Sequence, residues 1–239
     1  MTLVEKYFRA EVGLECRVLT ETPDPEMLKL FYSDMGRYAF AMQVDMLRQR
    51  QAVNDASTAI AGRSNHYGNS SGRPCVVWND RSLWGDAVFA SVNYKLGNMS
   101  DAEFSAYRSI LASRGPYKYD RIVFFDVEAK RAHFLSQEHR KKAAEQGIPL
   151  AYFEQLRLAY FMQLRAQALT HRAKIIYVYN EPFCEIDHVL KMMIHAPTNS
   201  MVAEFFESAP DLKDEATSEE VSAAFARVRK SYEAFYAKK

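Results

Sequence analysis

In PCVVWNDRSLWGDAVFA, residues 74–90, the apolar run Val76-Val77-Trp78 ends in Asp80-Arg81-Ser82, and a further acid, Asp86, follows. An acid at the carboxyl end of a strand can hold a divalent cation with its phosphates, and an arginine beside it can meet a phosphoryl group in transit. Glu21 closes a second β-rich run, CRVLTE (16–21), and is a candidate to accept a proton. The run EHRKKAAE (138–145) concentrates cations where a lid could close over a triphosphate. Each feature also has a plainer reading. Asp80 can be a helix N-cap, Glu21 a turn acid, and the basic run a solvated helix face. Singly, the plainer readings prevail; only the combination points to phosphoryl transfer.

The elements that must position these groups alternate between helix and strand periodicity. TLVEKYFRAE (2–11) has helical spacing, CRVLTE is a strand, and Thr22-Pro23-Asp24-Pro25 breaks the chain. Residues 26–51 are helical in period, with Gly36 as a kink or junction. The Ser-, Asn- and Gly-rich stretch from Asn54 to Pro74 predicts a long surface loop. PCVVWND is the next strand, LWGDAVFASVNY a helix, and Ser100 with Glu103 a capping box for the helix DAEFSAYRSILAS. DRIVFFDV (120–127) is a strand, followed by a polar helix to about Glu145. PLAYFEQLRLAYFMQLRAQALTH (149–171) is the longest helix, with proline in its first turn, and KIIYVYN (174–180) is the last strand. Two helical stretches close the chain, the second capped by Thr217 and Glu220. Short apolar strands alternating with helices predict an α/β fold with a parallel sheet, whose ligands sit at the carboxyl ends of the strands.

Composition narrows the function classes. With 48% hydrophobic and 26% charged residues and a net charge of +1, the 239-residue chain reads as an ordinary globular protein. It lacks the basic excess of a polymeric nucleic-acid binder, and neither a membrane span nor a charged-then-apolar leader is evident. Cys16, Cys75 and Cys184 are odd in number and far apart, which predicts reduced thiols. Cys184 and His188 stand four apart without a second metal-binding pair, so a zinc site is not expected.

Taken in order, several segments resemble the deoxynucleoside kinase family, which includes deoxycytidine, deoxyguanosine and thymidine kinase 2-like enzymes. The resemblance covers roughly residues 2–183. It rests on VLTE (18–21), on LFYSDMGRYAFAMQVDMLRQR with its tyrosine, glutamine and arginine, and on DRSLWGDAVFA. HRKKAAEQGIPLAYFEQL resembles the family's lid and the helix after it, and NEPF (180–183) the loop that borders the donor adenine. The resemblance implies a parallel-sheet P-loop kinase fold, with a kinase domain over 1–195 and a C-terminal helical extension over 196–239. It implies phosphoryl transfer from ATP with Mg²⁺ to the 5′-hydroxyl of a deoxynucleoside, in nucleoside salvage. A homodimer through helices 83–95 and 101–113 is expected, in the cytoplasm, or in mitochondria if a segment precedes Met1.

By the same resemblance, Glu21 is the base at the acceptor hydroxyl, Arg81 contacts that hydroxyl and the transferred group, and Asp80 serves the magnesium. Tyr32 and Glu145 hold the sugar 3′-hydroxyl. Gln43 reads the nucleobase edge, with Arg50 and Asp86 paired behind it, while Phe89 stacks on the base beside Met42. Thr2, Arg140, Lys142 and Phe183 fall on the ATP side.

Three departures stand out. Ser136 aligns where the lid has an additional arginine, Lys142 where arginine is common, and Met42 where the family stacks a phenylalanine. Removing the arginine fork leaves a point charge at 142. The family also opens with a strand and a G-x-x-x-x-G-K-[ST] loop, which these residues do not contain; Thr2 aligns just past its lysine. Alone, the 239 residues are therefore expected to be inactive and marginally folded. The alternative is a non-catalytic, kinase-like binding or scaffold subunit. Against it stands the ordered set Glu21, Tyr32, Gln43, Arg81 and Glu145, which a scaffold does not need. Thymidylate kinase fits less well, because the segment from Tyr32 to Gln43 suits a nucleoside better than a monophosphate.

Overall fold

The computed structural model describes residues 5, 8, 9, 13, 15–66, 75–114, 119–138, 148–170, 174–180 and 186–238. They fall in two compact units, Met1–Pro116 and Tyr117–Lys239.

In the first unit, β1 (Glu15–Leu19) precedes α1 (Pro25–Ser33) and α2 (Met35–His66). Then come β2 (Cys75–Asn79), α3 (Leu83–Lys95) and α4 (Asp101–Ser113). β1 and β2 pair in parallel from Glu15↔Cys75 to Leu19↔Asn79. The Asp80 amide adds one rung beyond β2 by donating to the Leu19 carbonyl at 2.8 Å. Both strands thus end together, and Glu21 and Arg81 leave from the same edge.

The long α2 carries the core on one stripe. Ala39, Met42, Met46 and Leu47 recur at helical spacing and are buried, and Gln43 and Arg50 lie on the same stripe. A polar amide and a guanidinium among core positions need partners, since burying either unpaired is unfavourable. α3 is buried along much of its length, with Leu83, Val88, Ala90 and Val92 fully enclosed. Its N-terminus is capped by Ser82, whose hydroxyl accepts the Gly85 amide at 2.9 Å. The expected capping box of α4 is present between Ser100 and Glu103.

Two expectations are corrected here. The helical break falls at Asp34 rather than Gly36. Asp34 has non-helical backbone angles, ends α1, and accepts the Arg37 amide through its side chain at 3.1 Å, so one residue closes one helix and opens the next. The stretch from Asn54 is helix to His66, not loop. Ser57 and Thr58 turn their hydroxyls onto the Asn54 carbonyl, both at 2.9 Å, and Gln51 bonds Asp55 at 2.6 Å. Those local bonds satisfy the side chains that would otherwise compete with the helix, and Ala52, Ala56, Ala59 and Ala61 supply propensity. Residues 67–74 lie outside the described residues.

The second unit runs β3 (Arg121–Asp126), α5 (Ala129–Glu138), α6 (Leu150–Leu169), β4 (Lys174–Tyr179), α7 (Ile186–Ile194), α8 (Asn199–Glu207) and α9 (Ser218–Tyr236). β3 and β4 pair in parallel from Arg121↔Lys174 to Asp126↔Tyr179. Pro149 is the N-cap of α6, one position before the first turn in which it was expected. α9 lays Val221, Ala224, Phe225, Val228 and Tyr232 inward, and Tyr232 donates to the Ile175 carbonyl at 2.6 Å. Phe225 stacks on Phe124 and meets Phe161 edge-on, so α9 forms part of this unit's core. The predicted capping box between Thr217 and Glu220 is present at its start. Among the described residues, no helix is long and apolar enough to cross a membrane.

Candidate active site

The edge where β1 and β2 end is built around one guanidinium. Arg50, on the buried stripe of α2, grips Glu21 with two donors: Nε to Oε2 at 2.7 Å and Nη2 to Oε1 at 3.3 Å. Its Nη1 turns the other way and donates to Asp86 Oδ1. Asp86 lies in the first turn of α3 and is fully buried; its second oxygen, Oδ2, accepts the hydroxyl of Tyr107 from α4 at 2.5 Å. The backbone carbonyl of Asp86 accepts Gln43 Nε2 at 3.4 Å. Three helices and one strand exit therefore converge on Arg50 and Asp86.

Burial pushes the Asp86 carboxyl up to about 6, against the pull of Arg50 and the hydrogen bonds from Tyr107 and Arg50. At neutral pH it remains mostly the carboxylate that Arg50 needs. Burial, then Glu5 and Cys75, push Cys16 up to about 11, and burial likewise raises Cys75, so both favour the protonated thiol.

On the outer side, Arg81 approaches Glu21 with Nε at 3.9 Å from Oε1, and its side chain is 40% exposed. Its backbone φ of +70° is the one left-handed non-glycine among the described residues. That turn drops the chain from β2 into α3 within three residues and aims the guanidinium back across Phe89, at 5.1 Å from the ring centroid. Arg50 lies over the same ring at 5.8 Å. Asp80 is exposed at the mouth of the edge.

Of the residues expected from sequence, Glu21, Gln43, Arg50, Arg81, Asp86 and Phe89 come together, with Met42 buried beside Gln43 on α2. Tyr32 lies on α1, across the Asp34 break, against Phe31 at 5.1 Å between ring centroids. The Asp34 break therefore separates Tyr32 from the helix that carries Gln43. Thr2, Arg140, Lys142, Glu145 and Phe183 lie outside the described residues. Ser136, aligned with the lid's missing arginine, is buried in α5 and donates to the His133 carbonyl at 2.7 Å. Among the described residues, no three His, Cys, Asp or Glu side chains cluster as a metal site.

Two features escaped sequence reasoning. Tyr107 reads as an ordinary core residue beside Phe104, although a buried tyrosine hydroxyl always needs a partner. The grip of Arg50 on Glu21 joins residues 29 positions apart, and no local pattern announces it.

Residues 2–203 match the sequence profile of the deoxynucleoside kinases. The chain belongs to that family. A deoxyguanosine kinase of Dictyostelium discoideum is 32% identical over 141 residues, which are 58% of this chain and 46% of that kinase. The chain thus spans less than half the length of this curated relative. Structures of a deoxyadenosine kinase from M. mycoides share the fold: TM-scores are 0.59 with the products dCMP and a flexible dCDP bound, and 0.57 with dATP bound. Identity is 18% in both, over 80% of this chain and 89–90% of the other. The parallel strand pairs and flanking helices are those of the α/β P-loop kinase fold expected from the deoxynucleoside kinase motifs.

Proposed function

We propose that this chain carries the acceptor side of an enzyme that transfers a phosphoryl group from ATP to the 5′-hydroxyl of a deoxynucleoside in salvage. The observation that carries the reading is Glu21, held at a strand exit by a buried arginine and faced by a more exposed one. A carboxylate in that setting can take the hydroxyl proton as the oxygen attacks. Arg81 then faces both the attacking oxygen and the incoming negative charge. Gln43, with one acceptor and two donors, reads the base edge, and the Arg50–Asp86 pair behind it sets which bases are preferred. Phe89 offers the base a face once the Arg81 side chain shifts from it, and Met42 leaves the floor of that pocket softer than an aromatic ring would.

Asp80 fits a magnesium ion. It is an exposed oxygen ligand beside the reacting edge, and Mg²⁺ is commonly held by one or two carboxylates together with substrate phosphates. The ion would neutralise charge on the donor phosphates. Tyr32 and Glu145 are assigned to the sugar 3′-hydroxyl, and Thr2, Arg140, Lys142 and Phe183 to ATP, from the family motifs alone. A homodimer through α3 and α4 is assigned from the family motifs alone.

Calorimetric titration of the four deoxynucleosides into the chain tests the reading. Saturable binding that Gln43→Ala weakens for every base supports it. Absence of binding for all four would remove the acceptor assignment.

A further inference from the structure

Asp86 is a junction with three arms. One carboxylate oxygen meets Arg50, the other meets Tyr107, and the backbone carbonyl meets Gln43. The group assigned to base reading and the group holding the proton acceptor therefore hang from one residue. Asp86 has no exposed surface, so its rotamer is set by these contacts and not by water. The charged and titratable groups facing it are Arg50 from α2, Tyr107 from α4 and Glu21 from the exit of β1. Tyr107 is 1% exposed and anchored by Phe104, whose ring lies nearly parallel to its own at 6.4 Å. Its hydroxyl has little freedom to move away.

We propose that Tyr107 is a positioning residue of the acceptor site, pinning Asp86 so that Arg50 holds Glu21 at the reacting edge while Gln43 faces the base. The inference rests on the acceptor reading above and deepens it. Without the hydroxyl, Asp86 Oδ2 loses a donor in a site that water does not reach. Its carboxylate then becomes harder to keep ionised, and the neutral acid releases its hold on Arg50. The same loss would register at both ends of the relay.

The test is Tyr107→Phe, which removes one oxygen and keeps the ring packing. Deoxynucleoside affinity is measured by calorimetry between pH 5 and 8 for the wild-type chain, Tyr107→Phe and Gln43→Ala, with melting curves at each pH. In the wild type, affinity falls on the acid side near pH 6. In Tyr107→Phe that limb should move up by about one pH unit, the scale of one hydrogen bond to a charged group. Affinity should be several-fold weaker at pH 6.5 and close to wild type at pH 8. Gln43→Ala should weaken binding at every pH with its acid limb unmoved.

A Tyr107→Phe profile that overlays the wild type, or that drops equally at all pH values together with the melting temperature, overturns the positioning role while the acceptor reading stands. If the wild-type chain binds no deoxynucleoside at any pH, the acceptor reading falls and takes this role with it.

Discussion

The two units each bury an arginine between two carboxylates, and each gives the deeper carboxylate a tyrosine hydroxyl. In the second unit Arg157 takes Asp126 with Nε and Nη2, both at 3.0 Å, and Glu128 at 2.6 and 3.0 Å. It also takes Ser222 at 2.6 Å, and Tyr177 donates to Asp126 Oδ2 at 2.6 Å. All five N–H donors of Arg157 are used, on α9 as well as on the strand end. Burial works to lower its pKa, but Asp126 and Glu128 more than offset this and raise it. Burial, with Asp126 adding to it, raises the Tyr177 hydroxyl. Ser222 also returns a bond to Glu128 at 3.0 Å, and Phe225 covers the guanidinium at 4.8 Å, so Glu128 is tied back to α9 although its side chain is 37% exposed. Around Arg50 the outer carboxylate, Glu21, is less exposed, at 12%, but it faces a second, partly exposed arginine. The same motif serves as a rivet when its last ligand is tied back to a neighbouring helix, and as a candidate site when that ligand meets a second arginine at a strand exit.

Breaking either buried arginine network should have the largest effect on folding. Arg157→Ala strands Asp126 in the interior and should cost ~3–5 kcal/mol, read as a drop in the urea midpoint. Arg50→Ala strands Asp86, which is as deeply buried, and should cost about as much; a much smaller loss would show that the Tyr107 hydroxyl alone can hold Asp86. Next is catalysis. In the active enzyme Glu21→Gln should lower kcat by ~10²-fold with deoxynucleoside affinity little changed, whereas Glu128→Gln should leave kcat nearly untouched. Near-normal turnover after Glu21→Gln would take that residue out of the chemistry.

A smaller effect sharpens the inner half. The folded Asp86 carboxyl, at about 6, lies above its ordinary value of 3.8, so the native state holds this proton more tightly than the unfolded chain. Its contribution to stability is therefore full below about pH 4 and is lost as pH rises through about 6. Asp86→Asn should flatten that slope in melting curves taken from pH 3.5 to 7.5. Smallest is Ser100→Ala, which removes the cap of α4 and should cost ~1 kcal/mol without altering nucleoside binding.

Much of the site was legible because the family motifs mark it and because its parts break local rules. An acid at a strand exit, an arginine before a helix N-cap, and a glutamine and an arginine on an otherwise apolar stripe each ask for a partner. The Arg50–Asp86 pair follows from the family motifs alone. The parallel α/β fold follows from apolar strands alternating with helices, and the capping boxes at Ser100 and Thr217 from four-residue patterns. What did not follow depends on tertiary distance. The Glu21–Arg50 grip and the Tyr107 hydroxyl bond span 29 and 21 residues. Composition misled the reading of residues 54–66, since Ser and Thr that bond their own helix look the same in sequence as those that break it. Arg157 is illegible for a related reason: its partners Asp126 and Glu128 lie 31 and 29 residues away.

The left-handed turn at Arg81 carries a tension that evolution must hold in balance. An L-residue there costs ~1–2 kcal/mol of backbone strain that glycine would relieve. Arg81→Gly should therefore fold more firmly than Arg81→Ala, although both lose the cation. A population of variants sorted only for solubility and heat resistance would drift toward glycine at this position. One sorted for phosphorylated product would keep arginine and accept the weaker fold. The difference in melting temperature between the two survivors would measure what this molecule forgoes in durability to keep one cation aimed at its open edge.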